Sequence, residues 1–342
     1  MATRKRQKRK LTPIGKFLVF ILIAILVALI FGKCFKKDTT NNLSNTKPAI
    51  SKDVLDSFKP TKKVTYAKEN ENTETLDIES EYGILINLDT NTVIATKNGD
   101  KKIYPASMTK IMTLIVAVEN AKSLDDTYTF TTEVIDPFVI EDASRAGFEN
   151  GETVTIKDML YGCVLPSGAD ATYGLAVSIA GSEREFVKLM NKKANEMGLK
   201  NTHFVNVSGL HDELHYSTAH EIALILNYAM KNPTCAEVLS TVEYTTAKTP
   251  VHPEGIPLTS TMFSRMYGTE AEDVTIIAGK TGYTTEGGNC LASYAENADG
   301  EKYVLVTGKA QGLWKSIYDA LGTYAEYCGN GVLNLPDESS YN

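Results

Sequence analysis

The sequence predicts an α/β chain of the α+β type: one antiparallel sheet built from both ends of the folded body, flanked by helices, with an all-helical subdomain inserted between. Three observations carry this reading. Strand-like apolar runs occur at 82–96 and return at 274–307. The chain between them is dominated by helical periods, from Ser107 to Met230. The late strands follow one another across short turns, which suits antiparallel neighbours rather than strand–helix–strand crossovers.

The first element is a basic head. Residues 1–37 hold ten Lys/Arg and no acidic residue, so the rest of the chain carries 25 basic against 42 acidic side chains. An acidic body excludes a nucleic-acid binder, whose footprint is basic. Seven of the basic residues precede the apolar run 17–31, which extends to 19 residues over 14–32. That length is close to the roughly 20 residues a bilayer requires. The charge bias across it puts the N-terminus in the cytoplasm and the body outside. A cleaved signal peptide would share the basic and apolar regions, but no Ala-x-Ala site follows Leu29-Ile30-Phe31. We therefore expect a cytoplasmic tail at 1–13, an uncleaved transmembrane signal anchor at 14–32, and a polar linker at 33–77. The folded domain should cover 78–330, with a polar tail at 331–342.

Composition allows a sizeable core, with 43% hydrophobic and 23% charged residues among 342. Cys34, Cys163, Cys235, Cys290 and Cys328 lack metal-type spacing, so no metal site is expected. They read as small buried apolar residues, with a disulfide among the last four left open.

Within the body, 82–88 and 92–96 read as a hairpin around Asp89-Thr90-Asn91. An apolar helix starts at Ser107 behind Pro105, whose missing N–H suits a first helical turn. Its run through Ile111, Met112, Leu114, Ile115, Val116 and Val118 is apolar nearly all round and should be buried. A short strand is expected near 128–131, then a capped helix from Thr155 to Leu165, broken at Pro166-Ser167-Gly168. Further helices should run over 171–179, over 182–197 with Gly198 as stop, and over 219–230. Strands follow at 274–277, 289–295 and 302–307, and a last helix at 313–327.

Ser107 and Lys110 stand three apart on one helix face, with Cβ atoms roughly 5–6 Å apart. Desolvation would lower the lysine pKa and make it a base for the hydroxyl. Taken alone, the pair reads more readily as a serine cap with a neighbouring lysine. Two further patches sharpen it. Leu165-Pro166-Ser167-Gly168-Ala169-Asp170 is a tight loop with a hydroxyl. Gly279-Lys280-Thr281-Gly282-Tyr283 ends a strand, where flanking glycines allow close ligand approach and the cation suits a carboxylate.

Ser-x-x-Lys, then Ser-x-x, then Lys-Thr-Gly is the motif order of penicillin-binding proteins and serine β-lactamases. With its surroundings, Pro105 to Thr113, Leu165 to Gly168 and Lys280 to Thr284, the chain resembles the D-alanyl-D-alanine carboxypeptidase family, the low-molecular-mass penicillin-binding proteins of peptidase family S11. Asn201-Thr202-His203-Phe204-Val205-Asn206 and His215-Tyr216-Ser217-Thr218-Ala219 add to the likeness. The resemblance implies a β-lactamase/transpeptidase-like fold, a role in peptidoglycan biosynthesis, and no cofactor. It implies that Ser107 is the nucleophile, Lys110 its base and Ser167 a proton relay. Lys280 and Thr281 would hold the terminal carboxylate, within a substrate-binding stretch that runs on through Gly282 and Tyr283. The N–H groups of Ser107 and Tyr283 would form the oxyanion hole. Implied partners are peptidoglycan stem peptides, β-lactams as covalent inhibitors, and the membrane through the N-terminal helix, with the body on the extracytoplasmic face of a bacterial cell.

The chain departs from the family at Ala169, where Asn is usual. Losing that amide removes a donor and an acceptor, worth about 1–2 kcal/mol. Asp170 is the family's usual next residue and is not expected to replace it. The five histidines are expected to be structural. A D,D-endopeptidase and a slowly turning over β-lactam or muropeptide receptor are the alternatives. A class A β-lactamase needs a deacylating glutamate, which 203–209 lacks.

Overall fold

Two strand pairs from opposite ends of the chain meet in the middle of one sheet. The computed structural model describes residues 63–140 and 143–335. The expected cytoplasmic tail, the anchor at 14–32 and most of the linker lie outside the described residues, as do residues 336–342. Among the described residues no helix is long and apolar enough to cross a membrane. In chain order the first part contains β1 (Glu74–Thr75), β2 (Tyr82–Asn87), β3 (Thr92–Lys97), β4 (Lys102–Ile103), a 3-10 turn (Ala106–Met108), α1 (Thr109–Asn120), β5 (Thr127–Thr129) and α2 (Thr132–Ile140). Next come β6 (Thr153–Thr155), α3 (Ile156–Val164), α4 (Ala169–Ala180), α5 (Glu183–Met197), β7 (Ser217–Thr218), α6 (Ala219–Met230) and α7 (Pro233–Leu239). The last part holds β8 (Glu243–Thr245), β9 (Pro257–Thr259), α8 (Thr261–Met266), β10 (Glu270–Ala271), β11 (Val274–Thr284), β12 (Gly288–Asn297), β13 (Lys302–Ala310), α9 (Lys315–Tyr327) and β14 (Leu333–Asn334).

The main sheet runs β1-β3-β2-β13-β12-β11-β10-β14. Leu85 faces Leu305 across the antiparallel β2–β13 pair, with Ile84 against Val306 and Ile86 against Val304. Side chains alternate faces along a strand, so this register sends Ile84, Ile86, Val304 and Val306 to one side and Leu85 and Leu305 to the other. The first set joins α1, α3 and α6 in a large core. The second packs on Ile317, Leu321 and Tyr324 of α9. Both faces are covered, which explains why these strands read as continuous apolar runs rather than alternating ones. α1 is buried from Thr109 to Val118, as its all-round apolarity requires. Cys163, Cys235, Cys290 and Cys328 are separate, buried free thiols. Burial pushes the Cys163 thiol up to about 12.

Two boundaries differ from the expectation. Residues 63–77 belong to the body rather than to the linker. Glu221, fully buried at the start of α6, accepts hydrogen bonds from the Tyr66 hydroxyl, from Lys200 N at 2.8 Å and Asn201 N at 2.9 Å, and from the Thr202 hydroxyl. A buried carboxylate needs such donors, and Tyr66 brings the preceding chain with it. Leu76 then fills the α9 core, and β1 adds to β3 in parallel. At the other end β14 pairs with β10, so the body runs past residue 330. The sequence reading also omitted α2, α7 and α8 and several two- and three-residue strand pairs. α7, α8 and the strand pairs are too short for a hydrophobic period to declare itself, and α2 carries Pro137, which argues against a helix.

Candidate active site

The floor of the site is the 3-10 turn ahead of α1. Ala106 takes φ +47° there, in the left-handed region, and Ser107 follows it. Beneath lies Gly209, where a Cβ would fall 1.9 Å from the Ala106 carbonyl oxygen. Lys110 Nζ lies 2.9 Å from Ser107 Oγ and donates to the Ser208 carbonyl at 2.7 Å. The lysine is 2% exposed. Burial draws its pKa down to about 8, against the opposing pull of Cys163 and Asp170. A lysine so placed is a base near neutral pH.

The second wall is the loop between α3 and α4. Ser167 also takes a left-handed conformation, φ +64°. Behind it Asp170, buried, holds the neighbouring 146–147 loop: its carboxylate accepts from the backbone N–H groups of Ala146 at 2.7 Å and Gly147 at 3.0 Å. Desolvation raises the Asp170 pKa, and these N–H groups act against it. Its side chain is spent on the loop, in keeping with the expectation that it does not stand in for the missing Asn. Ala169 donates its N–H to Ser144 O at 2.7 Å and presents its methyl to the cleft. Lys110 takes the Ser208 carbonyl as its acceptor.

The third wall is β11, which runs unbroken through Gly279-Lys280-Thr281-Gly282-Tyr283. Lys280 Nζ donates to Ser167 Oγ at 3.0 Å and to Thr281 O at 2.8 Å. Burial, and then the charge of Lys110, hold its pKa well below the usual lysine value. An arriving carboxylate would favour the charged form. The Thr281 hydroxyl bonds Thr261 at 2.7 Å, and Thr261 N bonds Leu165 O at 3.0 Å, so α8 ties the strand to the Ser167 loop. Gly282 is needed for the close approach of strand and turn, since a Cβ there would sit 3.0 Å from Ser107 N.

These walls enclose a cleft of about 650 Å³ lined by Ser107, Lys110, Ser167, Thr281, Gly282 and Tyr283 among others. All the residues singled out from sequence therefore converge, Lys280 through its bond to Ser167. Sequence reasoning missed Ser208 and Gly209, which act through backbone, and Arg265, which brings a half-buried guanidinium to the cleft from α8. The remaining histidines are tied into the structure. His215 bonds the Thr109 hydroxyl at 2.7 Å, accepts from Val205 N at 3.2 Å, and is pushed down to about 4 by burial. His203 bonds Leu214 O at 2.7 Å, His220 pairs with Asp100 and His252 with Glu152. His211 differs, for it lines the cleft.

Fold and site together define an α/β protein with two serine–lysine pairs across one cleft. Residues 67–311 match the sequence model of peptidase family S11, D-alanyl-D-alanine carboxypeptidase, and the chain belongs to that family. It is 33% identical over 244 residues to the D-alanyl-D-alanine carboxypeptidase DacF of Bacillus subtilis, a match covering 71% of this chain and 61% of that protein. A D-alanyl-D-alanine endopeptidase of Pseudomonas aeruginosa is 30% identical, covering 63% and 66%. Among solved structures, the Streptomyces K15 DD-transpeptidase superposes with a TM-score of 0.65 at 30% identity, covering 74% of this chain and 98% of that one.

Proposed function

We propose that the chain is a membrane-anchored serine D-alanyl-D-alanine carboxypeptidase that removes the terminal D-Ala from peptidoglycan stem pentapeptides. The observation that carries this is the paired contact of Lys110 with Ser107 and of Lys280 with Ser167 across one cleft. Ser107 Oγ adds to the carbonyl carbon of the penultimate D-Ala as Lys110 Nζ takes its proton. The oxyanion forms against the N–H groups of Ser107 and Tyr283, donors typically worth about 2.7–4 kcal/mol each. The C–N bond then breaks, and Ser167 delivers a proton to the departing D-Ala amine, with Lys280 and Lys110 refilling it. Water, deprotonated by Lys110, cleaves the ester and frees Ser107. Lys280 and Thr281 hold the terminal carboxylate, and Arg265 adds positive charge to the same cleft. The basic residues ahead of 17–31 support the orientation, and the lack of an Ala-x-Ala site after it an uncleaved anchor at 14–32, with the body on the outer face of a bacterial membrane and β-lactams as covalent inhibitors.

The test is mass spectrometry of muropeptides incubated with the purified full-length protein, beside labelling by a fluorescent penicillin. Pentapeptides should lose one alanine mass. Labelling without D-Ala release would replace this reading with that of a slow receptor, and the absence of both signals would overturn it. The endopeptidase relative favours a second reading, cleavage of cross-linked stems at the same D-Ala carbonyl, which the same spectra would show as monomers appearing from dimers.

Ala169→Asn should raise kcat/KM for D-Ala release from a peptide by about tenfold, the value of a regained hydrogen bond to the substrate chain. The pH dependence set by Lys110 should persist, since Ser208 O already occupies the lysine. A D-Ala release assay across pH checks both.

A further inference from the structure

Two segments distant in sequence must stay in register for Lys110 to serve Ser107. One is the first turn of α1, which carries Lys110 just behind Ser107. The other is the chain at 205–209, whose Ser208 carbonyl holds Lys110 Nζ at 2.7 Å. One turn further along α1, the Thr113 hydroxyl donates to the Val207 carbonyl at 2.7 Å. The segment is stiffened from within, since Asn206 Oδ1 accepts from Gly209 N at 2.7 Å and its Nδ2 donates to Leu210 O at 2.9 Å. At the Ser107 end of α1 the link is made by His215, which belongs to neither segment.

The bonds of the ring fix its tautomer. Val205 N donates to Nδ1 at 3.2 Å, so Nδ1 carries no hydrogen. The neutral ring then has its proton on Nε2, which donates to the Thr109 hydroxyl at 2.7 Å. His215 is 2% exposed and Thr109 is fully buried. Phe204 packs edge-on against the ring at 5.5 Å. The backbone behind it is held by His215 N to Asp212 O and by the paired bonds between His203 and Tyr216. Burial pushes the imidazole pKa down to about 4; Asp212 pulls the other way, and His203, His211 and Lys110 add to the fall. The ring is therefore neutral wherever Lys110 can act as a base, and donates at one nitrogen while it accepts at the other.

We propose that His215 is a positioning residue for acylation, pinning the first turn of α1 through Thr109 to the segment that carries Ser208 through Val205. The proposal rests on the acyl-enzyme reading above. Removing the ring leaves a buried hydroxyl and a backbone N–H without these partners, which costs more than the bonds themselves contribute. Turn and segment then part, and a displacement of about 1 Å at the reacting atoms costs on the order of 100-fold in rate. β11, which holds the substrate carboxylate, takes no part in the pin, so non-covalent binding should be spared.

Stopped-flow acylation of the full-length protein by a chromogenic β-lactam separates the acylation rate constant from the dissociation constant of the preceding complex. His215→Phe fills the space without either nitrogen and should lower the rate constant about 10–100-fold. The dissociation constant should stay within about twofold, a split that a general loss of stability would not produce. His215→Gln keeps one donor and one acceptor and should stay within about threefold of the wild type. Thr109→Val removes the hydroxyl at nearly constant shape and should match His215→Phe, whereas Thr109→Ser should not. Wild-type rate constants in folded His215→Phe and Thr109→Val overturn the pin, as does a loss in His215→Gln as deep as in His215→Phe. If His215→Phe does not fold, the two Thr109 variants decide. No adduct on the wild type overturns the acyl-enzyme reading and the pin with it. Adduct without D-Ala release overturns the carboxypeptidase reading alone.

Discussion

Acylation of Ser107 should climb with pH along a limb centred near 8 and should collapse when Lys110 is replaced. The amine is useful only when neutral, and burial draws its pKa to about 8. Roughly a tenth of it is then neutral at pH 7 and nine-tenths at pH 9, so the rate constant should rise about tenfold between them. Lys110→Ala removes the base and should lower acylation by about 10³–10⁴-fold at every pH, flattening the limb. Lys110→Arg should fare no better, because a guanidinium stays protonated. Ser107→Ala should abolish the covalent adduct altogether. Stopped-flow acylation by a chromogenic β-lactam between pH 6 and 10 reads all four proteins. A limb that survives Lys110→Ala would assign the base elsewhere. The same shift affects folding. Between about 8 and 10.5 the unfolded chain holds a proton on this lysine that the folded chain does not, so stability should rise with pH across that window.

Gly209→Ala should be the most damaging substitution that touches no reacting group. The new Cβ would lie 1.9 Å from the Ala106 oxygen and 2.4 Å from its carbon, and neither atom can rotate aside because both are backbone. Gly209 also sits at φ +87°, where an L-residue is strained by about 1–2 kcal/mol. Relief requires the loop to leave the 3-10 turn, taking the Ser208 carbonyl from Lys110 and shifting Ser107. A misplacement of about 1 Å can cost on the order of 100-fold in rate. Strain and clash together should remove about 2–5 kcal/mol of stability, a fall on the order of 10 °C in Tm for a body of this size. Gly181→Ala is the matched control: φ is +78°, but nothing lies within 4 Å of its Cβ, so the backbone penalty alone applies. Calorimetry and β-lactam acylation on both variants decide the matter. Equal losses in the two would mean that Gly209 matters only for its dihedral.

What was legible in the sequence was whatever is local or periodic. Ser107 and Lys110 could be placed on one face because helix geometry fixes i and i+3 neighbours, and the late strands announced themselves by length and apolarity. The three motifs located the walls of the cleft because each is a short contiguous stretch. What escaped depends on contacts between distant segments or on backbone atoms without a residue signature. Tyr66 is drawn to the body by Glu221, 155 positions away, and nothing in the polar stretch around it signals a docking partner. The Ser208 carbonyl that holds Lys110 could have come from any residue type. Arg265 sits on the six-residue α8, too brief to show a face.

The four buried thiols bear on what holds the described body together. Many exported proteins are secured by disulfides between cysteines brought close by the fold. Among the described residues Cys163, Cys235, Cys290 and Cys328 are unlinked and buried, so no cross-link among these four holds the described body together. Cys163 also lies behind the active-site lysine, its sulfur 4.0 Å from the Lys110 carbonyl. Alkylation of that thiol would thus report the moment at which the helices behind the cleft come apart, with no engineered label.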